Sequence, residues 1–265
     1  MKKSIAWILT TIMMLALLTG CGSKSAKSDT EYVKKNGKLI VGITDYEPMD
    51  YKDENGEWTG FDAEFARMFA KELGVDCEFF VIADWGQKFF ELDSKNIDAI
   101  WNGMTITDEV TLNTSCTKPY VINAQVVVMK ADAVGNYADT DSLKDLTFAV
   151  ESGSAGEDAV KGLGISDYVA VQDQTKAVME VSAGTADACV VDITLANAMT
   201  GEGTGNKNLT YSIKLEAEEY GIAFRKGSDM TAKTNELMAG LMKDGTLDKL
   251  AKKYQIVLIK DADNK

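Results

Sequence analysis

The residues of this 265-residue chain best placed to do chemistry are carboxylates. Asp192 ends an apolar strand that begins at Ala188, where a carboxylate is costly unless it meets a cation or several hydrogen-bond donors. Open α/β sheets gather their ligand contacts at strand ends, so Asp192 reads as a ligand contact. Glu151 follows another short apolar run. Facing Asp192 across a cleft, it would complete a pair of the kind acid/base catalysis uses. Asp45, Glu47 and Asp50 extend the acidic set, with solvated acidic surface as the competing reading. Histidine is absent, which removes histidine-based metal sites, Ser-His-Asp triads and Cys-His dyads together. Nothing in the sequence calls for a metal or a cofactor.

A different chemistry is written at the N-terminus. Lys2 and Lys3 precede an uncharged, mostly apolar stretch from Ile5 to Thr19, which leads through Gly20 into Cys21. This is the pattern of a secretion signal, and Leu18-Thr19-Gly20-Cys21 resembles the lipobox of bacterial lipoproteins, whose cysteine is acylated and becomes the new N-terminus. An uncleaved membrane anchor is the alternative, but the charge-free stretch from Ser4 to Ser23 is barely long enough to span a bilayer. Residues 1–20 are therefore expected to be a signal peptide, and residues 21–30 a lipidated cysteine followed by a small, polar tether. The protein should be extracytoplasmic and held on a membrane surface.

Loss of the two leading lysines takes the formal charge from -13 to -15. Such a surface repels nucleic acid and does not suggest adhesion to anionic headgroups, leaving the lipid as the membrane link. Cys77, Cys116 and Cys189 remain, an odd number at irregular spacing that argues against a disulfide framework.

The elements that must position these groups alternate. Leu39–Ile43 reads as a strand. Phe61, Phe65, Met68, Phe69 and Leu73 then share a helical face closed by Gly74. A strand (75–81), a helix (86–94), a strand (98–101) and a long strand (125–130) follow, then a loose polar run from 132 to 141. The second half offers strands at 147–150, 186–191 and 220–224, and helices at 154–162, 175–183, 193–199, 231–243 and 247–254. This rhythm predicts an α/β fold with mainly parallel sheets covered by helices.

Several segments together carry a family resemblance. They are Leu39-Ile40-Val41-Gly42, Gly56-Glu57-Trp58-Thr59-Gly60-Phe61-Asp62, Asp98-Ala99-Ile100-Trp101-Asn102-Gly103-Met104-Thr105-Ile106-Thr107, Lys118-Pro119-Tyr120, Ala186 to Asp192, Tyr220 to Lys226 and Asp244-Gly245-Thr246-Leu247. In order and spacing they resemble the bacterial extracellular solute-binding family that serves polar amino-acid ABC importers. The resemblance implies a two-lobed type 2 periplasmic-binding fold, with two crossings between lobes near Met129–Asp132 and Glu216–Tyr220. Lobe 1 would take residues 31–130 and 219–265, and lobe 2 residues 131–218. It also implies a monomer that captures a small amine or amino-acid-like ligand by lobe closure and delivers it to a membrane permease.

The matching site positions are Tyr46 and Trp85 as an aromatic clamp, Asn102, Gly103, Met104 and Thr105 as a lobe 1 segment, and Asp192 for the amine. Trp101, at a strand end, and Asp45, on the acidic rim, join them as candidates, each with a core or surface role as its competitor. The pattern is broken in two places. The arginine expected three positions after Thr107 is Val110, and the lobe 2 hydroxyl expected two positions after Gly153 is replaced by Ala155. The chain's other arginines, Arg67 and Arg225, occupy positions that the resemblance keeps away from the ligand. The amides of Ser154 to Gly156 could still cradle an anion at a helix start. An acidic cleft without arginine nevertheless favours a cation, so the ligand is expected to carry an amine and either lack an α-carboxylate or present it unusually. A sensing receptor module and a dehydratase-like enzyme using Glu151 and Asp192 are the other readings of the same fold.

Overall fold

The computed structural model describes residues 28–260; the expected signal peptide, Cys21 and the expected tether up to residue 27 lie outside them. The strands are β1 (Lys38–Ile43), β2 (Tyr51–Lys52), β3 (Trp58–Thr59), β4 (Asp76–Val81), β5 (Ala99–Thr105), β6 (Thr114–Cys116), β7 (Val121–Lys130), β8 (Phe148–Glu151), β9 (Tyr168–Val171), β10 (Ala188–Asp192) and β11 (Leu209–Arg225). The large sheet runs β4-β1-β5-β11-β7-β10-β8-β9, with β6 beside β11, and β2 and β3 form a small hairpin.

Each flank of this sheet is parallel, as the alternating rhythm requires. β4, β1 and β5 make one flank. β10, β8 and β9 make the other. Between them β7 and β11 run antiparallel and belong to both. They form the two crossings of a two-lobed α/β fold. Gln125 to Asp192 is already a β10 pair, so the first passage lies on β7 ahead of Gln125, earlier than the expected Met129–Asp132. The second lies where β11 leaves β7 and meets β5 at Tyr220. Residues 209–219, which show no readable period, are the first part of β11, and two register shifts, at Tyr211/Ile213 and Lys214/Ala217, explain the irregular pattern. β9 was not expected; it is a short, half-exposed edge strand.

The first lobe is built on aromatic packing. Phe61, Phe65, Phe69 and Leu73 recur every four residues along the helix Phe61–Leu73 and are buried, and Gly74 ends the helix in the left-handed conformation at φ 75°. Phe65 meets Trp101 edge-on, with ring centroids 4.9 Å apart, and Phe69 packs against the same indole. The second lobe packs Val127, Met129, Phe148, Val150, Val160 and Val190 into a core of its own. The free thiols Cys77 and Cys116 are pushed up to about 12 by burial, and buried Cys189 moves the same way, which keeps all three in the thiol form.

Arg225 locks the returning strand to the first lobe. Its guanidinium donates to Asp98 Oδ1 at 2.9 Å, to the Ile97 carbonyl at 2.7 Å, to the Leu92 carbonyl at 3.2 Å and to Asp29. Arg67 donates to the Trp58 carbonyl at 2.6 Å and lies over Phe79. Both arginines are thus structural. Replacing Arg225 with methionine leaves Asp98, 3% exposed, without its cation. The expected cost is about 3–5 kcal/mol of stability in urea denaturation, with ligand affinity unchanged.

Candidate ligand-binding cleft

The ends of β5, β8 and β10 and the starts of five helices face one another across the crossing strands. Together they line a narrow cleft that is partly open to solvent. The first lobe contributes Tyr46, Trp85, Lys88, the segment from Asn102 to Thr105, Thr107, Glu109 and Val110. Glu151, Gly153, Ser154, Ala155, Asp158, Gln174 and Asp192 face them from the second lobe, with Gln125 from β7 between.

The first-lobe wall is held from behind by buried polar groups. Asn102 Oδ1 accepts from the Thr44 amide and hydroxyl, both at 2.7 Å, and its Nδ2 donates to Asp50 at 2.8 Å. Its side chain is therefore committed to structure, and what it offers the cleft is backbone. Gly103 donates its amide to Asp62 at 2.6 Å, and Tyr120 donates to the same carboxylate at 2.7 Å. Gly103 must be glycine: φ is +54°, and a Cβ there would lie 2.6 Å from the Tyr46 ring. Burial pushes Asp62 up to about 7.

On the second lobe, Ser154 caps the helix Ala155–Gly162. Its hydroxyl accepts from the Glu157 amide at 3.2 Å, while the Glu157 carboxylate accepts from the Gly153 amide at 2.7 Å. This paired capping uses the Ser154 oxygen as an acceptor and sets a carboxylate beside the helix start.

Asp192 occupies the N-cap of the helix Ile193–Met199 but makes no side-chain capping bond. Its Oδ1 instead accepts from Asn123 at 2.6 Å and from Gln125 at 2.5 Å, and its Oδ2 accepts from Gln174. The same two β7 amides also donate to Glu218 of β11, at 2.5 and 2.8 Å. Burial and the Glu218 charge hold the Asp192 carboxyl well above the usual range. Glu151 is pushed up to about 8, chiefly by burial and then by Asp173. Among the described residues Glu151 Oε1 and Gln125 Oε1 are buried without a hydrogen-bond partner.

The structure brings Tyr46, Trp85, Asn102, Gly103, Met104, Thr105, Ser154 and Asp192 together in the cleft. Two expected residues are elsewhere. Trp101 is fully buried between Phe65 and Phe69 in the first-lobe core, because its strand position points to the helix face and away from the cleft. Asp45 is exposed at the rim, where its carbonyl accepts from Thr175 of the second lobe at 3.2 Å. Of the wider acidic set, Asp50 is buried behind Asn102 and Glu47 is exposed. Sequence reasoning missed Lys88, Gln125 and Gln174: lysine in a short helix and amides near element starts read as solvated by default, with no local pattern to mark them. Val110 and Ala155 both line the cleft.

A model of the bacterial extracellular solute-binding proteins, family 3, matches residues 39–256. The chain belongs to that family. It is 31% identical over 257 residues to the L-cystine-binding protein TcyJ of Escherichia coli (strain K12), covering 93% of this chain and 94% of that one. The crystal structure of the P235GK mutant of ArgBP from T. maritima superposes with a TM-score of 0.80 at 32% identity, over 85% of this chain and 98% of that one. An ancestral amino acid-binding protein, AncCDT-1, described as a precursor of cyclohexadienyl dehydratase, superposes with a TM-score of 0.79 at 31% identity, over 86% of this chain and 99% of that one. This family 3 protein therefore has the type 2 periplasmic-binding fold that its sequence motifs imply.

The raised Glu151 carboxyl has a measurable consequence. The folded state holds a proton there that the unfolded chain releases above its ordinary value of 4.5. Its contribution to stability is complete below that value and is lost as pH rises towards about 8. Urea midpoints of the ligand-free protein should fall between pH 5 and pH 8. Glu151→Gln should reduce that slope without abolishing it, because Asp62 titrates in the same sense.

Proposed function

We propose that this protein is the lipid-anchored substrate-binding component of an amino-acid-type ABC importer. It captures a small amine-bearing ligand by closing two lobes and delivers it to a membrane permease. Cys21 carries the lipid, the polar tether gives reach, and the chain acts as a monomer on the outer side of the membrane. The cleft binds without turnover. That is the role carried by the names of TcyJ and ArgBP, and it suits a pocket whose carboxylates are held by side-chain amides.

One observation carries the choice of ligand. Glu151 Oε1 and Gln125 Oε1 are buried acceptors without partners, in the same cleft as the Asp192 carboxyl. A ligand that donates N–H groups satisfies them, and a positive charge on it offsets the burial of the carboxylates. Closure is then favourable only when such a ligand is inside. Val110, standing where the family resemblance expects arginine, removes the guanidinium that would hold a carboxylate in two bonds. The named relatives give the chemical neighbourhood: arginine and cystine both carry amines.

Calorimetric titration with L-arginine, L-cystine, agmatine and L-glutamate tests this reading. L-arginine should bind more tightly than L-glutamate, and Asp192→Asn should weaken it about 10–100-fold, the equivalent of one charge-assisted hydrogen bond. Tight binding of L-glutamate, undiminished in Asp192→Asn, would contradict it.

A further inference from the structure

Lys88 is the one cationic side chain among the described residues that line the cleft. It stands at the start of the helix Lys88–Asp93 and is 5% exposed. Its ammonium donates to the Gly153 carbonyl at 3.0 Å, across the cleft, and to the Trp85 carbonyl at 3.4 Å. Among the described residues no carboxylate oxygen lies within 4.0 Å of it; Glu109, Glu151, Asp158 and Asp84 act on it only from farther away. Two of its three N–H donors thus meet neutral carbonyls, and a buried cation is left with no direct counter-ion. Lysine is almost never buried so deeply unless paired, and leaving its charge unpaired is costly.

The surroundings narrow what would pair with it. Trp85 and Val110 belong to one apolar cluster, which supplies no second cation. Beside the helix start at Ser154 to Gly156, the other place for an anion, the Glu157 carboxylate stands on the Gly153 amide, and its charge opposes a second anion there. Gly86 and Gly153 close the cleft beside Lys88, so tightly that a Cβ on Gly153 would lie 2.5 Å from the Gly86 Cα. A group lodged there is shielded from water, where a point charge acts most strongly.

We propose that Lys88 is the specificity-determining anchor for a carboxylate of the ligand, supplying from the helix before β5 the positive charge that Val110 does not. The ligand is then an amine-bearing carboxylic acid. Its amine faces Glu151, Gln125 and Asp192, and its carboxylate faces Lys88 through a single point charge. This inference rests on the amine-binding reading of the cleft.

Matched probes separate the two. L-arginine and agmatine differ only by a carboxylate, as do L-lysine and cadaverine. Calorimetric titration of the full chain should show the amino acid of a pair binding at least about tenfold tighter than the amine. In Lys88→Met the ratio should fall to within about twofold, Lys88→Arg should keep it, and Val110→Arg added to Lys88→Met should bring it back. A ratio near one in the wild type, or one unchanged in Lys88→Met with a normal melting profile, would overturn the proposal. If neither member of either pair binds, the amine reading has failed and acetate at constant ionic strength judges Lys88 alone. Acetate that raises the melting temperature of the wild type but not of Lys88→Met supports the anchor, and acetate without effect on the wild type overturns it.

Discussion

Withdrawing two carboxyl groups from water between two lobes is the constraint that shapes this molecule. Among the described residues neither Glu151 nor Asp192 is paired with a cation, and both are driven towards their protonated forms by burial. Asp192 is partly compensated by the amides of Asn123, Gln125 and Gln174. Glu151 is left with an unpartnered oxygen. A cleft of this kind holds its carboxyl groups at a cost that a bound cation would relieve.

The crossing strands help to hold those groups. β7 supplies Asn123 and Gln125, and β11 supplies Glu218, so the hydrogen bonds that hold Asp192 run through the two segments that join the lobes. The rest of the first lobe is arranged to stay still. Asp62, bonded to Gly103 and Tyr120, fixes the wall of the cleft, and Arg225 ties β11 to Asp98 and to the carbonyls that precede it. A rigid wall on one side and a floor of buried carboxyl groups on the other define the cleft between them.

Much of this was legible in the sequence, for identifiable reasons. The helix Phe61–Leu73 and the helix Ile193–Met199 announce themselves by apolar spacing, and Asp192 by ending an apolar strand. Trp101 misled because strand alternation gives no sign of which face of β5 looks towards the cleft. β11 was half hidden because its register shifts break the alternation that marks a strand. Lys88, Gln125 and Gln174 are made into site residues by tertiary contact alone. Their neighbours in space, Gly153, Asp192 and Glu218, are far away in the chain.

The central claim is that the cleft holds a proton where the ligand's positive charge will stand. Proton exchange on binding tests it most directly, by titrating L-arginine at pH 7 in buffers of different ionisation enthalpy. A Glu151 carboxyl raised to about 8 is mostly protonated before binding and ionised against a cation afterwards. The expected result is release of close to one proton per ligand, reduced in Glu151→Gln. Binding with no net release, or with proton uptake, would contradict it.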